Sequence, residues 1–410
     1  MQSEWKGCSL GDVLELQRGF DLPIQDRRPG SVPVVASTGV IDFHHAAQVQ
    51  GPGVVIGRSG SIGGGQYLKG DFWPLNTTLW VKDFKGNLPR YCYYLLRSID
   101  FTQFNAGSGV PTLNRNHIHP LPIRLAPRAE QHLIVDFLGA LDDRIDLLRQ
   151  TNATLEFIAQ ALFKSWFIDF DPVRAKAEGR EPEGMDAATA ALFPSEFEES
   201  ALGAIPKEWS VAAFGDFATL SKGSVSPSSS PATTFEHYSL PAFDENQLPV
   251  FEAGEAIKSN KTLVPQGAVL QSKLNPHIPR VWLPGDVGDH AVCSTEFLPW
   301  VARESSSASY VYTLLRSPAF EAQVRTLVTG TSNSHQRVRP DQVASLRVVS
   351  STTAVRLAFT DLVEPLLRKA VGNRLHMRTL AEVRDLLLPR LISGKLRLPE
   401  AHEQIDEVCA

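Results

Sequence analysis

Most of what would announce an enzyme or a membrane protein is missing from this sequence. Its 410 residues hold four cysteines, Cys8, Cys92, Cys293 and Cys409, far apart and without a Cys-x-x-Cys pair. That spacing excludes the usual zinc and dithiol motifs and leaves reduced thiols as the expectation. No run of 18 apolar residues occurs, and the opening "MQSEWKGCSLGDV" has no basic stretch followed by an apolar one. A cytoplasmic protein without a signal peptide or membrane helix is therefore expected. Positive charge is not in excess either: the formal net charge is −5, so any nucleic-acid surface has to be a local patch.

Catalytic motifs are equally scarce. "GRSGSIGGG" at 57–65 lacks the Gly-Lys-Ser/Thr ending of a phosphate loop and does not fit Gly-x-Gly-x-x-Gly. It reads as a turn between strands whose glycines allow positive φ, with Arg58 and Ser59 as side chains facing a ligand. "NPHIP" at 275–279 is near the Asn-Pro-Pro-aromatic tetrapeptide of adenine methyltransferases, but His277 and Ile278 replace the second proline and the aromatic, and no AdoMet glycine loop precedes it. His44-His45 and "HIHP" at 117–120 have no carboxylate or thiol at ligand spacing, so no metal is assigned. There is no Gly-x-Ser-x-Gly elbow and no nuclease carboxylate cluster, and the chain is expected to catalyse nothing alone.

What is present is repetition. With 43% hydrophobic and 21% charged residues the chain should fold, and its length calls for two or three domains. "EWKGCSLGDVLELQRG" at 4–19 matches "EWSVAAFGDFATLSKG" at 208–223, with Trp5 and Trp209, Gly11 and Gly215, and Gly19 and Gly223 all 204 positions apart. Further on, "YYLLRS" ending at Ser98 matches "YTLLRS" ending at Ser317, and "GSGVPTLNRNHIHPLPI" from Gly107 parallels "GTSNSHQRVRPDQVASLRV" from Gly330. One plan is written twice in the same order.

Each copy ends in a helical pattern. Ile134, Leu138, Leu141, Ile145, Leu148, Asn152, Leu155, Ala159, Leu162 and Trp166 alternate spacings of four and three, a heptad seam. Moving 221 positions on gives Val355, Phe359, Leu362, Leu366, Lys369, Asn373, His376, Leu380, Val383 and Leu387, so Asn152 lands on Asn373. A buried Asn in a seam costs stability but favours one register, because only a polar partner satisfies its amide. The spacing predicts two helices paired within one chain, antiparallel because the 171–206 link closes that arrangement more easily. The other reading keeps the helices separate, each Asn wetted at its seam's edge. That link is Pro- and Gly-containing with two apolar spots, a tether with some packing, and the first helix should stop near Asp171-Pro172.

The regions before the helices read as β-rich, with β-branched and aromatic runs such as 52–81 and 266–286 cut by Gly, Pro and Asn turns and short helices such as 91–98 between them. The expected fold is α+β: two β-rich domains in tandem, separated by long helices that form an intramolecular antiparallel coiled coil, with an internal two-fold repeat. The expected divisions are 1–125, a helix at 126–170, the link at 171–206, 207–349, a helix at 350–398 and a tail at 399–410. The polar side chains suited to bases and phosphates are also duplicated. In the first half they are Arg58, Ser59, Ser61, Tyr67, Lys69, Ser108, Asn114 and Arg115. In the second they are Lys222, Ser224, Lys273, Asn275, His277, Arg280, Ser332, Asn333, His335 and Arg337. Any one of them taken singly reads equally as a solvated loop residue.

"LAPRAEQHLIVDFLGALDDRIDLLRQTNATLEFIAQALFKSWFIDFDPVRAK" at 125–176 resembles the central conserved region of the specificity subunits of type I restriction-modification systems. "GRSGSIGG", "DFWPLNTTLWV", "SKLNPHIPRVWL", "GTSNSHQRV" and "LLPRLISGKLRL" are also similar to segments of that family, so the likeness spans nearly the whole chain. It implies two target recognition domains, each reading half of a split, asymmetric site on double-stranded DNA, with antiparallel helices as spacer. It implies partners as well: two methyltransferase subunits that modify adenines with AdoMet, and a translocating restriction subunit that uses ATP and magnesium. A helix over 129–167 would span roughly 55 to 60 Å at about 1.5 Å per residue. Two other readings stay open, a protein-binding scaffold and the recognition part of a fused AdoMet-dependent methyltransferase.

Overall fold

The computed structural model describes residues 5–107, 109–328 and 336–397. The chain forms two compact units, Met1–Asp146 with Arg378–Ala410, and Leu147–Met377. This division differs from the one expected, because it passes through both long helices, Arg128–Phe167 and Thr353–Ile392, and gives each unit a piece of each.

In the first unit Lys6–Ser9 pairs antiparallel with Pro122–Leu125, joining the two ends of the β-rich region. A four-stranded sheet runs Glu15–Arg18, Thr78–Asp83, Gly53–Gly57, Gly63–Leu68, and a three-stranded one runs Gly39–His44, Val32–Ala36, Trp73–Pro74. The second unit repeats the plan. Ser210–Ala213 pairs with Arg347–Ser350, and the four-stranded sheet is Ala218–Leu220, Phe297–Ala302, Ala268–Ser272, Val281–Trp282. Its third sheet keeps the parallel pair, Thr234–Tyr238 beside Ala291–Cys293 as Val32–Ala36 lies beside Trp73–Pro74, and adds Ser224–Val225 and Lys261–Leu263. The repeat seen in the sequence is thus a repeat of strand order and direction.

Burial of apolar side chains holds each unit together. In the first, helix Pro89–Arg97 buries Tyr91, Tyr94 and Leu95 against sheet residues Val54, Ile56 and Leu79, and Ile134, Leu138, Leu387 and Leu391 of the long helices close the same core. In the second, helix Ala308–Leu315 takes the equivalent place, and Tyr310 meets Phe163, Phe167 and Phe359 at ring distances of 5.7, 5.3 and 6.2 Å.

The polar lock in the seam has formed. In the second unit Asn373 Nδ2 donates to Asn152 Oδ1 at 2.8 Å, and Asn152 Nδ2 donates to the Ala370 carbonyl at 2.9 Å, both amides being buried. With Phe163 meeting Phe359 edge to face, the two segments run antiparallel. Glu156 accepts from Arg374 of the other helix and from Arg316 of the domain, so its half-buried charge is paired twice. In the first unit Asp142 accepts from Arg384 at 2.6 Å and from the Tyr94 hydroxyl at 2.7 Å.

Ile134, Leu138, Ile145, Leu148, Val383 and Leu387 are buried as expected, and Leu141, Leu155, Leu162, Leu366 and Leu380 are half-buried. Leu362 is a correction: it is 49% exposed, and Val363 is buried in its place. Lys369 and His376 are exposed too, while Leu367 and Ala370 are buried. Heptad spacing describes a helix facing one other helix. Here Val355, Phe359, Val363 and Leu367 face a core that the globular domain also fills, and three successive steps of four carry the buried stripe round the helix.

Segment 171–206 is folded, which corrects the tether. The first helix ends at Phe167, and Pro172 sits in the first turn of a new helix, Asp171–Ala177, where its missing N–H costs nothing. Helix Ala187–Ala191 and the hairpin of Phe197–Ser200 with Gly203–Pro206 follow, and Phe170, Val173, Phe193 and Ile205 join Trp209 in the second unit's core. Among the described residues no helix is long and apolar enough to cross a membrane.

Candidate nucleic-acid interface

The turn at 58–62 joins strands Gly53–Gly57 and Gly63–Leu68, as its glycines suggest. A Cβ on Gly57 would lie 1.8 Å from the Ser61 carbonyl oxygen, so only glycine allows the chain to fold back this tightly. Arg58 is held by its backbone on both sides, its N–H donating to Thr77 O at 2.9 Å and its carbonyl accepting from Leu113 N at 2.8 Å. Lys273 occupies the matching place after strand Ala268–Ser272, its N–H donating to Glu296 O at 2.9 Å and its carbonyl accepting from Val338 N at 3.1 Å. Each domain therefore carries a cation on a turn whose backbone is fixed.

Arg58 opens on a cleft of about 860 Å³ between the end of strand Glu15–Arg18 and residues 112–115. Arg18, Arg58, Lys82 and Arg115 line it with Gln17 and Asn114, four cations against the two carboxylates of Glu15 and Asp21. Arg115 is braced by donating to Leu16 O at 3.1 Å, and Asn114 caps the short helix Arg115–Ile118 by accepting from Asn116 N at 3.0 Å. Gln17, Arg18 and Lys82 were missed by sequence reading. The signal for Arg18 was there, since it stands 204 positions before Lys222.

The second unit has a cleft of about 680 Å³ on the equivalent strand pair, lined by Thr219, Leu220, Ser221, Arg303, Glu304 and Ser305 among others. Lys222 and Ser224 follow it, both exposed, with Ser224 paired to Thr262 in a short ladder. The two clefts share a position in the fold and differ in their charge.

Other expected residues are engaged elsewhere. Lys69 reaches Asp143 at 3.3 Å, and Tyr67 lies 6.2 Å from the Tyr93 ring and under Arg90, packed toward the long helix. Arg90 and Lys69 hold the Asp143 carboxyl below the usual carboxylate range. Arg280 makes a two-bond fork with Asp244 at 2.6 and 2.7 Å, and Arg337 does the same with Glu296 at 2.9 and 3.0 Å. Those two guanidiniums are already neutralised. Asn275 takes a left-handed φ of 51° and its N–H donates to Gln336 O at 2.8 Å, so "NPHIP" is a tight turn that leaves His277 exposed. Ser59 bridges Thr112 through the backbone, and Ser61 is exposed. Ser108, Ser332, Asn333 and His335 lie outside the described residues.

The histidines set aside as ligands have other work. His44 Nδ1 accepts from Arg28 N at 3.0 Å, and His119 Nε2 accepts from Leu16 N at 3.1 Å. Burial, with Arg115 nearby, lowers the pKa of His119 and keeps that nitrogen an acceptor.

Residues 2–157 match the family described as "Type I restriction modification DNA specificity domain". The chain is 25% identical over 470 aligned positions to the HindI type I restriction enzyme specificity subunit of Haemophilus influenzae, covering 96% of this chain and all of that one. It is 23% identical over 348 positions to the MjaIX specificity subunit of Methanocaldococcus jannaschii, covering 77% and 71%. A crystal structure of a type I restriction-modification S subunit from M. genitalium shares the fold, with a TM-score of 0.56 at 12% identity over 95% of this chain and 96% of that one.

Proposed function

The chain belongs to the type I restriction-modification specificity-subunit family, and on that premise we propose that it supplies DNA sequence recognition to a complex whose chemistry resides in other subunits. Each unit reads one half of a split site. The observation that carries this reading is the duplication: each unit has a cleft on the equivalent strand pair, and each has a backbone-pinned cation at the equivalent turn, Arg58 in one unit and Lys273 in the other. Unequal lining makes the two half-sites different, four cations on one side and Arg303 alone on the other, so the whole site is asymmetric.

The chain itself catalyses nothing in this account. Two methyltransferase subunits bring AdoMet and modify adenines, and a restriction subunit brings ATP and magnesium, all in the cytoplasm. The long helices set the gap between half-sites, as spacing must match protein geometry. Family membership favours this over a protein-binding scaffold and over a fused methyltransferase.

Binding of the chain, purified with its methyltransferase, to duplex DNA tests the proposal. Phosphate contacts release counterions, so affinity should fall by orders of magnitude between about 50 and 200 mM salt, and a preferred sequence should outcompete random duplex. Salt-insensitive retention with no sequence preference would leave the scaffold. Heat of AdoMet binding to the chain alone would favour the fused enzyme.

A further inference from the structure

Gly19 and Gly223 are equivalent residues in crowded places just beyond equivalent strands, Glu15–Arg18 and Ala218–Leu220. A Cβ on Gly19 would lie 2.2 Å from Leu75 O and 2.6 Å from Pro74 O, and one on Gly223 would lie 3.0 Å from the Leu263 side chain. At Gly19 the chain is pressed against a neighbouring backbone that only glycine tolerates. The residue before each glycine is a cation, Arg18 in one unit and Lys222 in the other, and both are exposed.

These two cations differ from those around them. In the first cleft Arg58 donates to Asn76 O at 3.3 Å, Arg115 to Leu16 O at 3.1 Å, and Lys82 reaches Glu15 at 3.5 Å. In the second, Arg303 donates to Gly215 O at 2.8 Å. Among the described residues Arg18 and Lys222 have no partner for their side-chain charge. Arg18 lines the first cleft, and Lys222 directly follows Ser221, which lines the second. An uncommitted donor on a fixed strand end, repeated once per unit, suits recognition better than stability. Among the described residues neither side chain is paired with an acid, so each can donate to a ligand edge made of acceptors.

We propose that Arg18 and Lys222 are the specificity-determining side chains of the two recognition units, each reading a guanine in its own half-site. Guanine offers N7 and O6, two acceptors side by side in the major groove, and cationic donors are matched to that edge. Adenine sets one acceptor beside an amino donor, thymine has a single acceptor and cytosine only a donor, so none of them offers that pair. This rests on the DNA-recognition reading above.

The test uses the chain in complex with its methyltransferase, with methylation scored on duplex libraries randomised in one half-site at a time. Arg18→Ala should lower discrimination at a single G·C position of one half-site about tenfold and leave the other half-site unchanged. Lys222→Ala should do the same in the opposite half-site, and Arg18→Lys should keep part of the preference. The intact half-site in each variant also shows that the protein is folded. Unchanged discrimination in both variants would overturn the inference while leaving DNA recognition standing. An even loss of methylation over all sequences, with no position relaxed, would also overturn it, since that is what a phosphate contact gives. A wild-type complex with no preferred site would instead overturn the underlying reading, before any variant is made.

Discussion

Asn152 and Asn373 were matched by a count along the sequence, and the structure places their amides 2.8 Å apart in a buried seam. Removing either one strands the other. Asn152→Leu or Asn373→Leu should each cost about 1–3 kcal/mol, because a buried amide is left unsatisfied. The double Leu variant should cost less than the sum, and a denaturation double-mutant cycle would reveal the coupling. A sum that is simply additive would show that the pair holds nothing. Among thiols, burial pushes both Cys92 and Cys293 up to about 12. They stay protonated at pH 8, so site-resolved alkylation should label them only as the protein unfolds or the pH approaches 12, with half-buried Cys8 reacting before them. Equal labelling of all three in the native protein at pH 8 would contradict that packing. Charge partners were harder to foresee. Nothing in the sequence says that Arg280 and Arg337 meet Asp244 and Glu296, because those pairings bring together residues 36 and 41 positions apart through the fold.

For whole elements, heptad periodicity described the first long helix better than the second, although both pack on a helix and on a domain core. The stripe from Ile134 to Trp166 holds along the first long helix, yet Leu362 is out and Val363 is in along the second. Val363→Ala should therefore cost about 2 kcal/mol of stability and Leu362→Ala under about 0.5, read by chemical denaturation. The reverse order would restore the heptad. The same lesson applies to 171–206, where Pro172 was read as a stop and is the start of a new helix. Proline marks a helix boundary in either case, and only the packing of Phe170 and Val173 decides which side is folded. Strand order was legible through the repeat, since residues such as Gly19 and Gly223 recur where backbones crowd. Among the described residues the strands Ser224–Val225 and Lys261–Leu263 have no equivalent strands in the first unit's three-stranded sheet, and they left no such mark.

At the scale of the whole molecule, one chain carries two versions of one reader and two helices of 40 residues each. If those helices are the ruler, inserting one heptad into both should change the preferred gap and leave both half-sites as they were. A gap that stays fixed would mean another part sets it. The claim on which the rest depends is that this chain chooses where its partners act. Single-molecule methylation sequencing of DNA from cells with the chain and its methyltransferase, beside cells lacking only the chain, tests it most directly. A split, asymmetric, adenine-methylated motif that vanishes with the chain is the expected result. The same methylome in both strains, with the methyltransferase shown to be active, would contradict it.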